Sequence, residues 1–314
     1  MRIVAALGGN ALLKRGEPLA ASIQRDNARC AARAIATLAV EHEVVVTHGN
    51  GPQVGLLALQ AASYAAVAPY PLDVLGAESE GMIGYVLEQE FLNAMPGRQV
   101  AALLTQTRVS QDDPAFSRPA KFVGPQYRES DAKRLAAERH WAIARDGNAW
   151  RRVVPSPLPI ELLEVAAIEA LVAKNFLVIC AGGGGVPVTR DEHGRLSGVE
   201  AVVDKDRASA LLADQLQADC LLMLTDVAAA FADWGTPGQR AIRRIAPEDV
   251  ARMPFAAGSM GPKIESGVQF ARRAGRRACI GALEDAADIV AGRAGTTIEA
   301  GVSSPQFESP GVRT

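Results

Sequence analysis

"VVVTHGNGPQVG", residues 44–55, decides how this chain is read. Three β-branched residues in succession specify a strand buried on both faces. That strand runs straight into a turn holding Gly49, Asn50, Gly51, Pro52 and Gly55. A tight turn needs one or two glycines to reach positive φ; three set around Asn50 indicate a backbone that something must approach closely. The same junction occurs at Gly8-Gly9-Asn10 after the apolar run 3–7, and at the glycines 182–185 after the run 176–179. Repeated strand-to-glycine junctions mark the carboxyl edge of a sheet, where open parallel sheets take their ligands.

Working outward, apolar strand-sized runs alternate with helical patterns. Ile23, Ala28, Ala31, Ala32, Ile35, Leu38 and Ala39 recur at helical spacing, as do Met82, Ile83, Val86, Leu87 and Phe91. Further strands are expected near 100–104, 176–181, 220–224 and 278–280, and helices near 54–62, 206–217, 263–274 and 284–291. The alternation predicts an α/β fold, a largely parallel sheet with helices on both faces. Residues 111–157 break the rhythm. "QDDPAFSRPAKFVGPQYRES" (111–130) and "RRVVPSPLP" (151–159) are proline-rich and flank a short helical pattern, which predicts a small subdomain set into the main sheet. Residues 302–314 are expected to form a loose tail.

The 314 residues carry 33 basic and 35 acidic side chains, a balance that gives no footprint for nucleic acid or an acidic membrane. No apolar run approaches the ~20 residues that span a bilayer, and Met1-Arg2 leads directly into a strand, unlike a signal peptide. Cys30, Cys180, Cys220 and Cys279 are too scattered for a zinc pattern or an evident disulfide framework. Reduced thiols, a cytoplasmic location and no protein-held metal are the expectation.

Glycine turns at helix N-termini present unpaired N–H groups and the positive end of the helix dipole, so they bind anions. G-x-x-x-x-G-K-[ST] and G-x-G-x-x-G are both absent, which argues against a P-loop or a dinucleotide site. Lys205, between Asp204 and Asp206, and Lys263, in "GSMGPKIESG", occupy turns at the ligand edge, and Lys121 sits in the polar excursion. Fixed positive charge of this kind suits phosphoryl transfer, which depends on positioning and electrostatics. Asp206 could orient the ammonium groups or cap the helix that follows, and the two roles are compatible. Asp226 ends another strand where a nucleotide could dock. His48 is read as a buried hydrogen-bonding residue in preference to a catalytic base.

The segments GGNAL, HGNGPQVG, EGMIGY, DPAF, VVPSP, GGGGVPV, GVEAVVDKDRASALLA, LTDV and GSMGPK, in this order across residues 3–300, resemble the carbamate kinases. The resemblance implies the amino-acid-kinase fold, an αβα sandwich around a mainly parallel open sheet. It implies one domain over 1–314 with a lid-like subdomain at 111–157, and a homodimer acting on small molecules. The implied reaction is ATP + carbamate = ADP + carbamoyl phosphate, run toward ATP in catabolism, with Mg2+ bound through the nucleotide phosphates. Carried over by motif, Gly8, Gly9, Asn10, Gly49, Asn50 and Gly51 would hold carbamate and the transferring phosphoryl group. Lys205 and Lys263 would stabilise the phosphates, Asp206 would orient those two lysines, and Lys121 would swing over the substrate. Asp204, Thr225, Asp226, Val227, Met260 and Gly261 would border the nucleotide.

Two departures stand out: Ala120 where the family commonly has threonine, and "AAAF" after LTDV. A same-fold kinase for another small acceptor, or a nucleotide-binding sensor without catalysis, are the competing readings.

Overall fold

The computed structural model describes residues 1–308 apart from Arg15, Ala65, residues 257–259 and the side chain of Asn10. Its centre is the strand Arg2–Leu7, whose side chains alternate between two cores. Ile3, Ala5 and Leu7 enter one core and Val4 and Ala6 the other, all of them fully buried. This strand pairs in parallel with Glu43–His48 on one side and Cys220–Thr225 on the other. Leu177–Ile179 and Val100–Ala102 extend the first side, and Arg277–Ala282 the second, all parallel. Thr296–Glu299 then pairs antiparallel with Arg277–Ala282, and Arg240–Ile245 and Phe231–Ala232 complete that edge.

Helices cover both faces, because every central strand is apolar on both. Ala21–Ala39, Leu72–Ala94 and Ala286–Val290 bury Ala28, Ile35, Leu87, Phe91 and Ile289 against one face. Val165–Ala173, Lys205–Gln215 and Met260–Ala271 bury Ile168, Leu212 and Val268 against the other. Each such Leu or Ile contributes roughly 2 kcal/mol by leaving water. The chain departs from the central strand in both directions, so the carboxyl ends of Arg2–Leu7, Glu43–His48 and Cys220–Thr225 open side by side at a switch in strand order.

The interruption of the alternating pattern corresponds to a separate three-stranded antiparallel sheet, Lys121–Tyr127, Ala149–Val154 and Ala142–Asp146, with the helix Glu129–Arg139 against it. It rests on the main body where Gly55, in the helix Gly51–Ser63, meets Gly124: a methyl group at Gly55 would lie 2.8 Å from the Gly124 Cα. Within the expected tail, Gln306–Phe307 pairs antiparallel with Arg240–Ile245; residues 309–314 lie outside the described residues. No helix among the described residues is long and apolar enough to cross a membrane.

Candidate active site

The three glycine junctions meet at one cleft of about 580 Å³. Gly8, Gly9, Gly49, Asn50, Gly51 and Gly183 line its inner end. The closeness expected of residues 47–55 is backbone meeting backbone: a methyl group on Gly49 would lie 3.0 Å from Gly9 N, and one on Gly8 2.8 Å from Leu224 O. Positive φ is not what this turn requires. None of Gly49, Gly51 and Gly55 has it, whereas Gly183, Gly184 and Gly185 do, at 65°, 98° and 83°. Helix Gly51–Ser63 begins at the cleft, which places its unpaired first-turn donors there. The Asn50 side chain is buried and donates from Nδ2 to Ser79 Oγ at 2.8 Å. The side chain of Asn10 lies outside the described residues.

Opposite these turns stand the lysines. Lys205 opens the helix Lys205–Gln215 after an extended loop, not directly after a strand as its apolar approach suggested. The Asp206 carboxylate lies between two ammonium groups, with Lys205 Nζ 2.8 Å from Oδ1 and Lys263 Nζ 2.8 Å from Oδ2. The Lys263 contact is a hydrogen bond. The Lys205 contact is an ion pair of the same length, made by a buried side chain that lines the cleft. Burial pushes the Asp206 carboxyl up, but Lys205 and Lys263 outweigh it and hold it well below the usual carboxylate range. Burial, opposed by Asp206 and reinforced by Lys263, leaves Lys205 below the usual lysine range. Asp204 caps the same helix, Oδ1 accepting the N–H groups of Asp206 (3.0 Å) and Arg207 (3.3 Å). Lys121 reaches in from the small sheet, and Ala120 before it gives its N–H to Val154 O at 3.2 Å, so that strand is anchored without a hydroxyl side chain.

The outer part of the cleft has the walls read in the sequence, together with aromatic residues that were not. Thr225, Asp226 and Val227 form one wall and Met260 another. Gly261 stands behind that wall, its N–H given to Ala256 O at 2.9 Å. Phe231, Trp234 and Phe255 line the opening, with the Phe231 and Trp234 rings 5.1 Å apart at 55°. The aromatic of "AAAF" therefore belongs to the cleft. Trp234 is 62% exposed, and a lone tryptophan in the polar turn "ADWGTPG" was the available signal. His48 is buried, interacts with Gly49 O through Nδ1 at 3.1 Å, and has its pKa lowered to about 4, chiefly by burial. It is neutral near pH 7 and does not line the cleft.

A phosphate end rich in ammonium groups and backbone donors, joined to an aromatic opening, is shaped for a nucleotide whose terminal phosphate reacts with something small. A model of the amino acid kinase family matches residues 1–282. The chain is 54% identical to a carbamate kinase of Haemophilus influenzae, over 95% of this chain and 96% of that one. It is 43% identical to a carbamate kinase of Thermococcus kodakarensis, over 95% and 98%. It superposes on a solved carbamate kinase from Giardia lamblia bound to AMP-PNP with a TM-score of 0.88 and 40% identity, covering 95% and 98% of the two chains.

Proposed function

The chain belongs to the amino acid kinase family and, within it, to the carbamate kinases; from that premise we propose that its cleft carries out the reversible reaction ATP + carbamate = ADP + carbamoyl phosphate through the residues described above. The observation that carries the site assignment is the Asp206 carboxylate set between Lys205 and Lys263, facing the glycine turns across the cleft. A carbamate oxygen attacks the terminal phosphorus of ATP, and the bond to the bridging oxygen of ADP breaks. The attacking oxygen is already anionic, so no general base is required, which agrees with a neutral, buried His48. Catalysis then reduces to fixed donors around the transferring group. Lys205 and Lys263 supply them on one side, and the backbone N–H groups at Gly9 and Gly51 on the other; the Gly49 N–H is given to Leu7 O at 3.0 Å and holds the turn.

Lys121, carried by the small sheet, closes the cleft over the acceptor, and residues 111–157 act as a lid that excludes water from a labile acyl phosphate. Asp204, Thr225, Asp226, Val227 and Met260 border the nucleotide, and Gly261 supports the Met260 wall from behind. Among the described residues no group of three His, Cys, Asp or Glu side chains could hold a metal ion. The Asp204 and Asp206 carboxylates are already engaged by lysines. The donor set therefore suits Mg2+ only as an ion carried by the nucleotide phosphates, where it would neutralise developing charge.

A homodimer fits the exposed Val74, Tyr85 and Leu92 of helix Leu72–Ala94, an apolar face that a second copy would cover. The reading includes a cytoplasmic setting and a direction toward ATP, with carbamoyl phosphate, a reactive mixed anhydride, supplied by breakdown of nitrogen compounds such as arginine. A non-catalytic sensor would have no use for three ammonium groups around the phosphate end. The test is ATP formation by the purified chain from ADP, Mg2+ and carbamoyl phosphate. Absence of ATP, or equal turnover with acetyl phosphate, would refute the reading.

A further inference from the structure

The glycine loop 182–185 closes the inner end of the cleft, and the chemistry above uses nothing that lies behind it. Gly183, Gly184 and Gly185 have positive φ, which glycine adopts freely, but Ala181 has it too, a cost that surrounding contacts must offset. Glu80, on the helix Leu72–Ala94, is 5% exposed. Its Oε2 accepts the Thr105 N–H at 2.8 Å. Thr105 in turn grips both ends of the loop: Oγ1 accepts the Ala181 N–H at 3.0 Å, and its carbonyl accepts the Val186 N–H at 2.8 Å. A methyl group on Gly182 would lie 2.5 Å from His48 Cε1 and 2.8 Å from Glu80 Cγ, so the loop rests directly on those two side chains. Ser79, next to Glu80, accepts the hydrogen bond from Asn50, whose side chain packs against Gly183.

We propose that Glu80 is a positioning residue: through Thr105 and Gly182 it fixes the loop 182–185, and with it Gly183 against Asn50, at the end of the cleft where the small acceptor binds. This rests on the kinase reading above. Glu80 performs the role as the neutral acid. Burial pushes its carboxyl well above the usual range, the Thr105 N–H opposes this, and Glu164 adds repulsion. Glu164 sits close by because its Oε2 accepts the N–H of the next residue, Gln106, at 2.8 Å. Apart from Glu164, the titratable groups packed here carry no charge near pH 7: His48 has a pKa of about 4, and burial keeps the Cys180 thiol protonated. The buried Oε1 of Glu80 has no hydrogen-bond partner, a position that a charged oxygen would occupy at far greater cost than a hydroxyl.

Glu80→Gln and Glu80→Ala, made in the full chain, separate the possibilities. ATP formation from ADP and carbamoyl phosphate is followed from neutral to alkaline pH, with melting recorded alongside. The proposal expects Glu80→Ala to raise the KM for carbamoyl phosphate about tenfold or more, with the KM for ADP held, since small misplacements at a reacting centre are costly. Glu80→Gln, which copies the neutral acid, is expected to rescue that KM and to remove an alkaline decline present in the wild type. A glutamine variant as impaired as the alanine variant would mean that the ionised carboxylate is needed, and would overturn the proposal. So would an unimpaired alanine variant, or one in which both KM values rise as melting falls. A wild-type chain that makes no ATP overturns the kinase reading, and this proposal with it.

Discussion

The ammonium of Lys121 lies 2.5 Å from Oδ2 of Asp204, while Oδ1 of the same carboxylate caps the helix that carries Lys205 and Asp206. One side chain thus ties the small sheet to the phosphate end of the cleft. Burial raises the Asp204 carboxyl, but Lys121 outweighs it and holds the group below its ordinary range. Lys121 belongs to the small sheet, so its removal should strike the chemical step and spare the nucleotide. Lys121→Ala should lower kcat by ~10²–10³, the usual cost of losing one transition-state donor. ADP affinity by calorimetry should stay within about threefold, the pattern of an interaction made only in the transition state. Loss of ADP binding, or a normal kcat, would refute the assignment.

In the free protein the cleft gathers Lys121, Lys205 and Lys263 against Asp204 and Asp206. That excess of positive charge is useful only once an anion arrives. Lys205→Met should cost ~10²–10³ in kcat without lowering the melting temperature, because burial of the ammonium and repulsion from Lys263 together outweigh its attraction to Asp206. Phosphate should raise melting of the wild type more than that of the variant. A variant that melts well below the wild type would place Lys205 among the structural residues.

Magnesium should bind weakly to the bare protein and strongly once ADP or ATP is present, since the ion would be held through phosphate oxygens and water. Titration calorimetry with and without nucleotide decides this. Micromolar affinity of the bare protein for Mg2+ would reveal a dedicated carboxylate site.

Trp234, its ring tilted against Phe231 at the opening, should contact the base of the nucleotide. Trp234→Ala should raise the KM for ADP about tenfold, in keeping with base–aromatic stacking of ~1–3 kcal/mol. The KM for carbamoyl phosphate should not move. Nucleotide binding should also quench a fluorescence component that Trp234→Phe removes.

His48 binds its proton less readily when folded, at a pKa of about 4 against an ordinary 6.5. Below pH 6.5 the unfolded chain takes up a proton that the native state refuses, so stability falls as pH drops from 6.5 to about 4. The loss attributable to this one group is on the order of 3 kcal/mol. Urea unfolding across that window should show the slope, and His48→Gln should flatten it. An unchanged slope in the variant would remove His48 as its source; Asp204 and Asp206, held below their ordinary range, lose their contribution only at pH below that window.

The local features were legible from the start because they are written in periodicity. The apolar run 44–46 became the second central strand, and Ile23 to Ala39 lie on one helix, Ala21–Ala39. Where the reading slipped, a longer-range contact was responsible. The glycines 47–55 were read as a backbone approached closely, with one or two at positive φ; none has positive φ, and the approach to Gly49 and Gly55 is made by the backbone of Gly9 and Gly124. Those neighbours are remote in the chain. The strands of the small sheet went unread because their pairing partners, such as Phe122 with Val153, sit across an intervening helix.

By itself the sequence determined a parallel sheet with two apolar faces, glycine turns at its carboxyl edge and lysines beside them, since each follows from residue type and near-neighbour spacing. Only the tertiary structure decided that Asp206 stands between Lys205 and Lys263, which is 57 residues further along the chain, and that Asp204 receives Lys121 from 83 residues away. It also decided that burial lowers the pKa of His48 and raises that of Glu80. Charge state and ion pairing depend on which distant groups arrive and how much water they exclude, and those are properties of packing that no local pattern encodes.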